Sequence, residues 1–253
     1  MKKKGEKENV LSIVLFPGEE FPFNESLLNY EAFGFSNKML TSKRCGLLLC
    51  DKATNKPLED NEEEIYRSLG KYYSPRVDDF VIGVIVQKTG EQYKLDISSY
   101  TYGILPSLEF EGATKKTKPN LAIGDAVFCR VMKVNKHDAP ALTCISQFGS
   151  KKNWSSGESF FGHLKEGNLF SFEKSYAGEF QRGDNYAIKR LSDIVSFEIA
   201  AAHNGKMWIN SSNAKNITRI YEVLMTSLTD GSKDTIEKLI HKYFLNNTNM
   251  NTD

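Results

Sequence analysis

Residues 80–97 read FVIGVIVQKTGEQYKLDI, and this stretch decides the fold. Its first half is an apolar run interrupted by Gly83, and residues 89–91 have the composition of a tight turn. After the turn, apolar and polar residues alternate from 92 to 97, which is typical of a strand with one buried face. The stretch therefore predicts an antiparallel hairpin.

Three further strand-like segments follow this hairpin. They are Gly103 to Leu108, Asp125 to Val134 and Ala141 to Ser146. Five short strands in about seventy residues, with a glycine in the first, predict a small closed barrel of the OB type. Barrels of this type bind oligonucleotides across a face that is bounded by loops.

A cluster of lysines lies between the third and fourth predicted strands. Residues 111–119 read EGATKKTKP, so that Lys115, Lys116 and Lys118 are flanked by a glycine and a proline. Phosphate backbones are held mainly by such cationic side chains, so we predict that these lysines bind RNA. A solvated turn is the alternative interpretation of the same sequence.

Other residues of the predicted barrel could extend this site. Arg130 falls on the polar side of the fourth strand, and we predict that it adds to the lysine patch. Tyr93 is on the apolar side of its strand and is interpreted as a core residue. Tyr100 and Tyr102, in the next turn, are open to two interpretations, as stacking platforms for bases or as ordinary loop residues.

Composition limits the classes of function. The 253 residues carry 33 basic and 32 acidic side chains, a net charge of +1, so that any nucleic-acid site must be local. The four cysteines form no C-x-x-C pair, which gives no support to a zinc ribbon, and they favour a reducing compartment. No apolar stretch is long enough to cross a membrane, so no membrane partner is expected.

The segments on either side of the barrel differ in character. Residues 1–74 predict a small β domain, with strands at Val10 to Phe16 and Arg44 to Cys50. Residues 75–150 correspond to the predicted barrel. Residues 151–246 mix strands with helical patterns, among them one over 176–191 and one in Ile217, Ile220, Leu224 and Leu228, which predicts an α+β domain. Residues 247–253 are polar and are expected to be disordered. The fold class is thus multidomain, β and α+β.

Catalytic motifs are absent from the sequence. It has no glycine loop ending in Lys-Ser or Lys-Thr, no G-x-S-x-G and no H-E-x-x-H. Asp78 and Asp79 are interpreted as loop acids because a two-metal nuclease needs several converging carboxylates. We expect a protein that is not an enzyme and has no cofactor, catalytic residue or metal site.

Two motifs carry a resemblance to a known family. The DFVIGVI stretch from Asp79, the FEGATKK stretch from Phe110 and Gly124-Asp125 resemble the OB domain of RNA exosome cap subunits, the exosome component 3 type. Asn204, Gly205 and Trp208 stand in an N-G-x-x-W pattern that resembles the KH-domain signature of the same family. The resemblance extends from about Val10 to Phe244, and it is weakest before the barrel.

This resemblance implies a function and partners. It implies a non-catalytic subunit that binds RNA, contacts RNase-PH-like ring subunits and other cap subunits, and guides RNA to 3′-to-5′ processing and degradation. It also implies a location in the nucleus, including the nucleolus, and in the cytoplasm. One sister cap protein carries a zinc ribbon, and another shares the KH-like signature, so the choice of type depends on the G-A-T-K-K segment.

The KH-like segment departs from the usual RNA clamp. No two of the 18 glycines are three residues apart, so the G-x-x-G loop of KH domains is missing. We therefore predict structural roles for Asn204, Gly205 and Trp208. Two other functions remain open: a free-standing regulator that binds single-stranded RNA, and a nuclease.

Overall fold

The computed structural model describes residues 10–22, 33–36, 39–43, 45–51, 66–68, 70, 72–135, 138–146, 159–181, 185–229 and 232–245. The chain divides into two compact units, Met1–Lys71 and Tyr72–Asp253. None of the helices in these ranges is long and apolar enough to span a membrane.

The first unit contains two small antiparallel sheets. Its strands are β1 (Val10–Leu15), β2 (Glu20–Pro22), β3 (Phe33–Ser36), β4 (Met39–Ser42), β5 (Gly46–Asp51) and β6 (Tyr66–Ser68). The strand order is β1-β5-β6 in one sheet and β2-β4-β3 in the other. The two predicted strands pair with each other, Leu15 opposite Gly46. The sequence did not predict β2, β3, β4 or β6, which are only three or four residues long.

The second unit begins with a closed five-stranded barrel. Its strands are β7 (Phe80–Lys88), β8 (Gln92–Asp96), β9 (Gly103–Pro106), β10 (Ala126–Lys133) and β11 (Ala141–Thr143). The order is β11-β9-β8-β7-β10, and β11 also pairs with β10, which closes the barrel. The predicted multidomain fold with an OB-type barrel is confirmed.

Side-chain size explains how the barrel closes. A Cβ atom on Gly83 would lie 2.6 Å from the Leu95 side chain, and one on Gly103 would lie 2.5 Å from Leu142. Only glycine lets the facing strand approach this closely. Tyr93 and Leu95 of β8, and Ile97 directly after it, are buried in the barrel core, as the alternation predicted.

The remainder of the second unit is an α+β module. It contains β12 (Gly162–Leu164), β13 (Asn168–Ser171), α1 (Ala177–Gln181), α2 (Tyr186–Ser192), β14 (Phe197–Ala201), β15 (Lys206–Ser211), α3 (Ala214–Thr229) and α4 (Lys233–Ile240). Strand β12 extends the barrel sheet along β10, and β13-β15-β14 form a separate sheet. The predicted helix over 176–191 is two helices, and residues 247–253 lie outside the described residues.

The helices pack on one face of the small sheet through apolar side chains. Ile217, Ile220 and Leu224 of α3 are buried, which matches the predicted helical spacing. Asn213 accepts a hydrogen bond from the Lys215 backbone N–H at 3.0 Å, so its side chain caps the start of α3. This packing holds β15, which carries the Asn204 turn at its start.

Candidate nucleic-acid interface

The lysine loop, residues 110–121, is attached to the barrel at both ends. At its start, Phe110 is buried and forms an isolated bridge with Cys144. At its end, the Tyr93 hydroxyl donates a hydrogen bond to the Pro119 carbonyl. The Leu121 carbonyl accepts from the Lys88 ammonium at 2.9 Å. The loop therefore has a fixed base on the barrel rim.

The tip of the loop is a closed turn. Thr114 and Thr117 exchange two backbone hydrogen bonds, of 3.0 and 3.2 Å, and their hydroxyls lie 2.8 Å apart. Gly112 has φ of +76°, a left-handed conformation that favours glycine. Lys115 and Lys116 lie between the two threonines and are exposed. The turn thus presents two ammonium groups to solvent from an ordered backbone.

The third predicted lysine has a different environment. The Lys118 ammonium donates a hydrogen bond to the Gly90 carbonyl in the turn between β7 and β8. Its side chain is exposed, so a phosphate could reach the ammonium, but the contact also attaches the loop to the hairpin. Lys118 thus belongs to the same rim as Lys115 and Lys116, in a position that also serves structure.

Arg130 does not join the lysine patch. It pairs with Phe80 at the start of β7, whereas the lysine loop contacts Lys88 at the end of that strand. These positions lie eight residue steps apart along β7, which corresponds to about 26 Å of extended strand. The Arg130 side chain is only 10% exposed and forms an ion pair with Asp78. The predicted grouping therefore fails because strand alternation does not reveal the position along the barrel.

The outer face of β8 and β9 begins at this rim. Lys94 is opposite Ile104 across the two strands, and its ammonium lies 5.8 Å from the centre of the Tyr102 ring. Tyr102 is 50% exposed and Tyr100 is 82% exposed. Cations and exposed rings on one surface are the combination used by proteins that bind single strands. Lys94 was not predicted as a binding residue because the sequence shows it only as a polar position in an alternating strand.

The residues of the N-G-x-x-W motif lie between the α+β module and the barrel. The Asn204 side chain donates to the Ile82 carbonyl at 2.8 Å and to the Ile97 carbonyl at 3.1 Å, and it accepts from the Ile82 N–H at 3.3 Å. The Asn204 side chain therefore makes the backbone hydrogen bonds that a neighbouring strand would make at the point where β7 and β8 separate. Gly205 has φ of +73°, and a Cβ there would lie 2.7 Å from the Phe172 carbonyl.

Neighbouring residues strengthen this junction. The His203 backbone N–H donates to the Phe80 carbonyl at 2.8 Å, and its ring accepts from the Phe80 N–H at 2.9 Å. The Lys206 ammonium donates to the Asp96 carbonyl at 3.2 Å, and burial lowers the pKa of Lys206. Trp208 is buried in the cluster that includes the barrel core. These contacts give the motif the geometry of a structural junction.

An acid–histidine contact lies near the same junction. The His163 ring is 3.5 Å from the Asp125 carboxylate, and burial lowers the pKa of the histidine despite the opposing effect of that carboxylate. The described part of the chain holds no group of acidic, histidine or cysteine side chains suited to a metal ion. Asp78 pairs with Arg130, and Asp79 accepts from the Tyr73 hydroxyl, which leaves both acids in structural contacts.

Comparison with known proteins places the barrel in a family context. Residues 73–155 match the family model described as exosome complex component RRP40, S1 domain. A Dictyostelium discoideum protein, named as a candidate exosome complex component rrp40, is 34% identical over 157 residues, which cover 62% of this chain and 63% of that protein. The matched part thus spans a little under two thirds of that relative's length.

Other relatives match over more of the chain. The exosome complex component rrp40 of Schizosaccharomyces pombe is 29% identical over 212 residues, which cover 82% of this chain and 85% of that protein. The exosome complex component RRP40 of Mus musculus is 27% identical over 237 residues, which cover 85% of this chain and 84% of that protein. A solved structure described as a candidate exosome complex RNA-binding protein has a TM-score of 0.51 at 21% identity, over 68% of this chain and 97% of that one. It shares the fold.

Proposed function

We propose that this chain is a non-catalytic, RNA-binding cap subunit of the RNA exosome. One observation carries the proposal: the segment that matches the RRP40 S1 domain also holds an ordered loop that presents Lys115 and Lys116 from the rim of an OB-type barrel. Two relatives that match about four fifths of the chain are both named exosome complex component RRP40, which favours the same role for this chain. The subunit guides RNA towards 3′-to-5′ processing and degradation.

The proposed mechanism is electrostatic. Lys115 and Lys116 contact phosphates, and the fixed base of the lysine loop keeps their backbone positions constant while the side chains adapt. Such contacts carry no sequence information, which suits a subunit that must pass many different RNAs. Because the net charge is only +1, the chain alone binds RNA weakly. Neighbouring subunits supply the other surfaces that contact the RNA.

The finer assignment is part of the same proposal. We assign the chain to the exosome component 3 type, with RNase-PH-like ring subunits and other cap subunits as its partners. The G-A-T-K-K segment supports this choice. The 151–246 segment would be a KH-like domain whose motif attaches it to the barrel. We place the protein in the nucleus, including the nucleolus, and in the cytoplasm, which imaging of a fluorescent fusion would test.

Charge reversal at the turn tests the proposed function. The assembled complex carrying Lys115→Glu and Lys116→Glu should bind single-stranded RNA more weakly. The slope of log affinity against log salt should flatten by about 1.4, since each phosphate contact on a single strand contributes about 0.7. Lys215→Glu is the matched control because Lys215 is exposed in the first turn of α3. Equal affinity and slope in the double variant would exclude the lysine turn from the RNA path.

Purification distinguishes the remaining functions. A cap subunit should be recovered with RNase-PH-like proteins, whereas a free-standing regulator should be recovered as a monomer. A nuclease should cleave RNA in the presence of a divalent metal, and we expect no cleavage by the isolated chain. The names of the relatives favour the first outcome over the regulator.

A further inference from the structure

Two tyrosines form an exposed aromatic surface beyond the lysine loop. The rings of Tyr72 and Tyr100 have centroids 4.3 Å apart and are tilted by 38°. Tyr100 is 82% exposed and Tyr72 is 43% exposed, so that neither ring belongs to the barrel core. Tyr72 thus supports the Tyr100 ring, most of which remains exposed to solvent.

The backbone beneath these rings is well supported. Tyr73, next to Tyr72, is buried, and its hydroxyl donates to the Asp79 carboxylate. Its backbone N–H donates to the Ser98 carbonyl at 2.8 Å, which ties the two segments together. Ser98 has φ of +60°, and its N–H donates to the Asp96 carboxylate at 2.8 Å. A platform that is ordered before binding loses less conformational entropy when a ligand arrives.

The tyrosine pair lies at one end of the β8–β9 face, and the lysine loop lies at the other. Strand β8 runs from Gln92, next to the hairpin turn that Lys118 contacts, to Asp96, next to the tyrosine segment. Four residue steps along this strand span about 13 Å. Lys94 lies between the two ends and adds a cation over the Tyr102 ring. A single strand can therefore cross from cationic to aromatic contacts without leaving one surface.

We propose that Tyr100, supported by Tyr72, is a stacking platform for one base of a single-stranded RNA whose phosphates contact the lysine loop. This inference rests on the proposed RNA-binding function and adds a base contact to it. Stacking is tolerant of sequence because every base has a π-face. The stacked base therefore increases the affinity of the protein for single-stranded RNA without giving it a strong sequence preference.

Charge favours RNA over a protein partner at this surface. Lys94 lies on the β8–β9 face that leads to the tyrosines, and Lys115 and Lys116 lie in the lysine loop, which contacts the hairpin turn at the other end of that face. The acid closest along the strand, Asp96, is engaged by the Ser98 N–H. Aromatic side chains are also enriched at protein interfaces, so the experiment must separate the two kinds of partner.

Binding of the full-length chain to two oligomers of equal length tests the proposal. One is oligoadenylate, and the other is an abasic oligomer with the same phosphates and no bases. Tyr100→Ala should weaken oligoadenylate binding about five- to tenfold, at the lower end of the range for a stacked base, and leave the abasic oligomer unaffected. Tyr100→Trp should keep the affinity, and its fluorescence should be quenched by oligoadenylate. Leu169→Ala, which truncates an exposed apolar side chain on β13, is the control.

The same measurements separate failure of the two proposals. Charge reversal of Lys115 and Lys116 should lower the affinity for both oligomers. If it lowers neither affinity while Tyr100→Ala lowers only the affinity for oligoadenylate, the stacking proposal is supported and the proposed phosphate contacts are wrong. Equal affinities of the two oligomers for the wild-type chain would overturn stacking alone. If neither the chain nor the assembled complex bound either oligomer, both proposals would fail. Loss of a co-purifying protein in Tyr100→Ala, with unchanged RNA binding, would make the surface a protein contact.

Discussion

Replacement of Asn204 by alanine should destabilise the second unit more than any surface change. The side chain is 3% exposed and makes three hydrogen bonds to backbone groups of Ile82 and Ile97. Truncation removes these bonds and leaves buried backbone groups without their partner, at about 1–3 kcal/mol for each unsatisfied group. Because alanine leaves space that the structure can partly close, we expect a loss of about 2–5 kcal/mol in the free energy of unfolding.

Denaturant unfolding of the full chain measures this effect. Typical domains have about 5–15 kcal/mol of stability, so the variant should show a clearly lower midpoint. Asn204→Asp should cost at least as much, because a carboxylate cannot donate to the two carbonyls and its charge would be buried. Asn210→Ala is the control, since Asn210 makes one long, exposed hydrogen bond of 3.4 Å to Glu198. An Asn204→Ala variant within about 0.5 kcal/mol of the wild type would refute the strand-substitute role.

Four further substitutions follow from the structure. Gly167→Ala should cost about 1–3 kcal/mol in denaturant unfolding, because its Cβ would lie 2.3 Å from the Trp208 ring. Gly178→Ala, with nothing within 4 Å, should be neutral or stabilising. Lys206 has a lowered pKa, so the folded state binds fewer protons than the unfolded state between its folded pKa and 10.5. Stability should therefore rise with pH across that window, and Lys206→Met should flatten the rise in unfolding titrations. Tyr93→Phe should raise the hydrogen-exchange rate of the lysine loop, because the hydroxyl that holds it is lost.

Each of these predictions has an outcome that contradicts it. Equal stabilities of the Gly167 and Gly178 variants would mean that the Trp208 ring can move aside at no cost. A pH profile of Lys206→Met that runs parallel to the wild type would assign the rise to other groups. Unchanged exchange in Tyr93→Phe would show that the remaining contacts, such as Lys88 to the Leu121 carbonyl, hold the loop alone.

The sequence predicted the barrel strands well because the alternation of apolar and polar residues and the composition of the turns are properties of short segments. Alternation over 92–97 identified the buried face of β8, and the turn at 89–91 identified its pairing with β7. The helix over Ala214–Thr229 was equally visible from its periodic apolar residues. Strand β12 was missed because three residues with half-buried side chains have no period to detect.

The candidate site was only partly visible in the sequence. The Lys115–Lys116 turn could be predicted because a glycine, a proline and lysines are neighbours in the chain. Arg130 was grouped with it by polarity, but its position at the other end of β7 and its ion pair with Asp78 depend on strand register. Tyr72 and Tyr100 are 28 positions apart, and only the bridge between Tyr73 and Ser99 brings their rings together.

The sequence by itself thus determined the five barrel strands and the helix over Ala214–Thr229, where the barrel glycines fall, and that an exposed loop carries lysines. The tertiary structure alone decided which of these features meet. Asn204 bonds to Ile82 across 122 positions, and the Lys94 ammonium lies over the Tyr102 ring because β8 pairs with β9. The physical reason is that hydrophobic periodicity acts within a few residues, whereas register and closure are set by packing between distant segments.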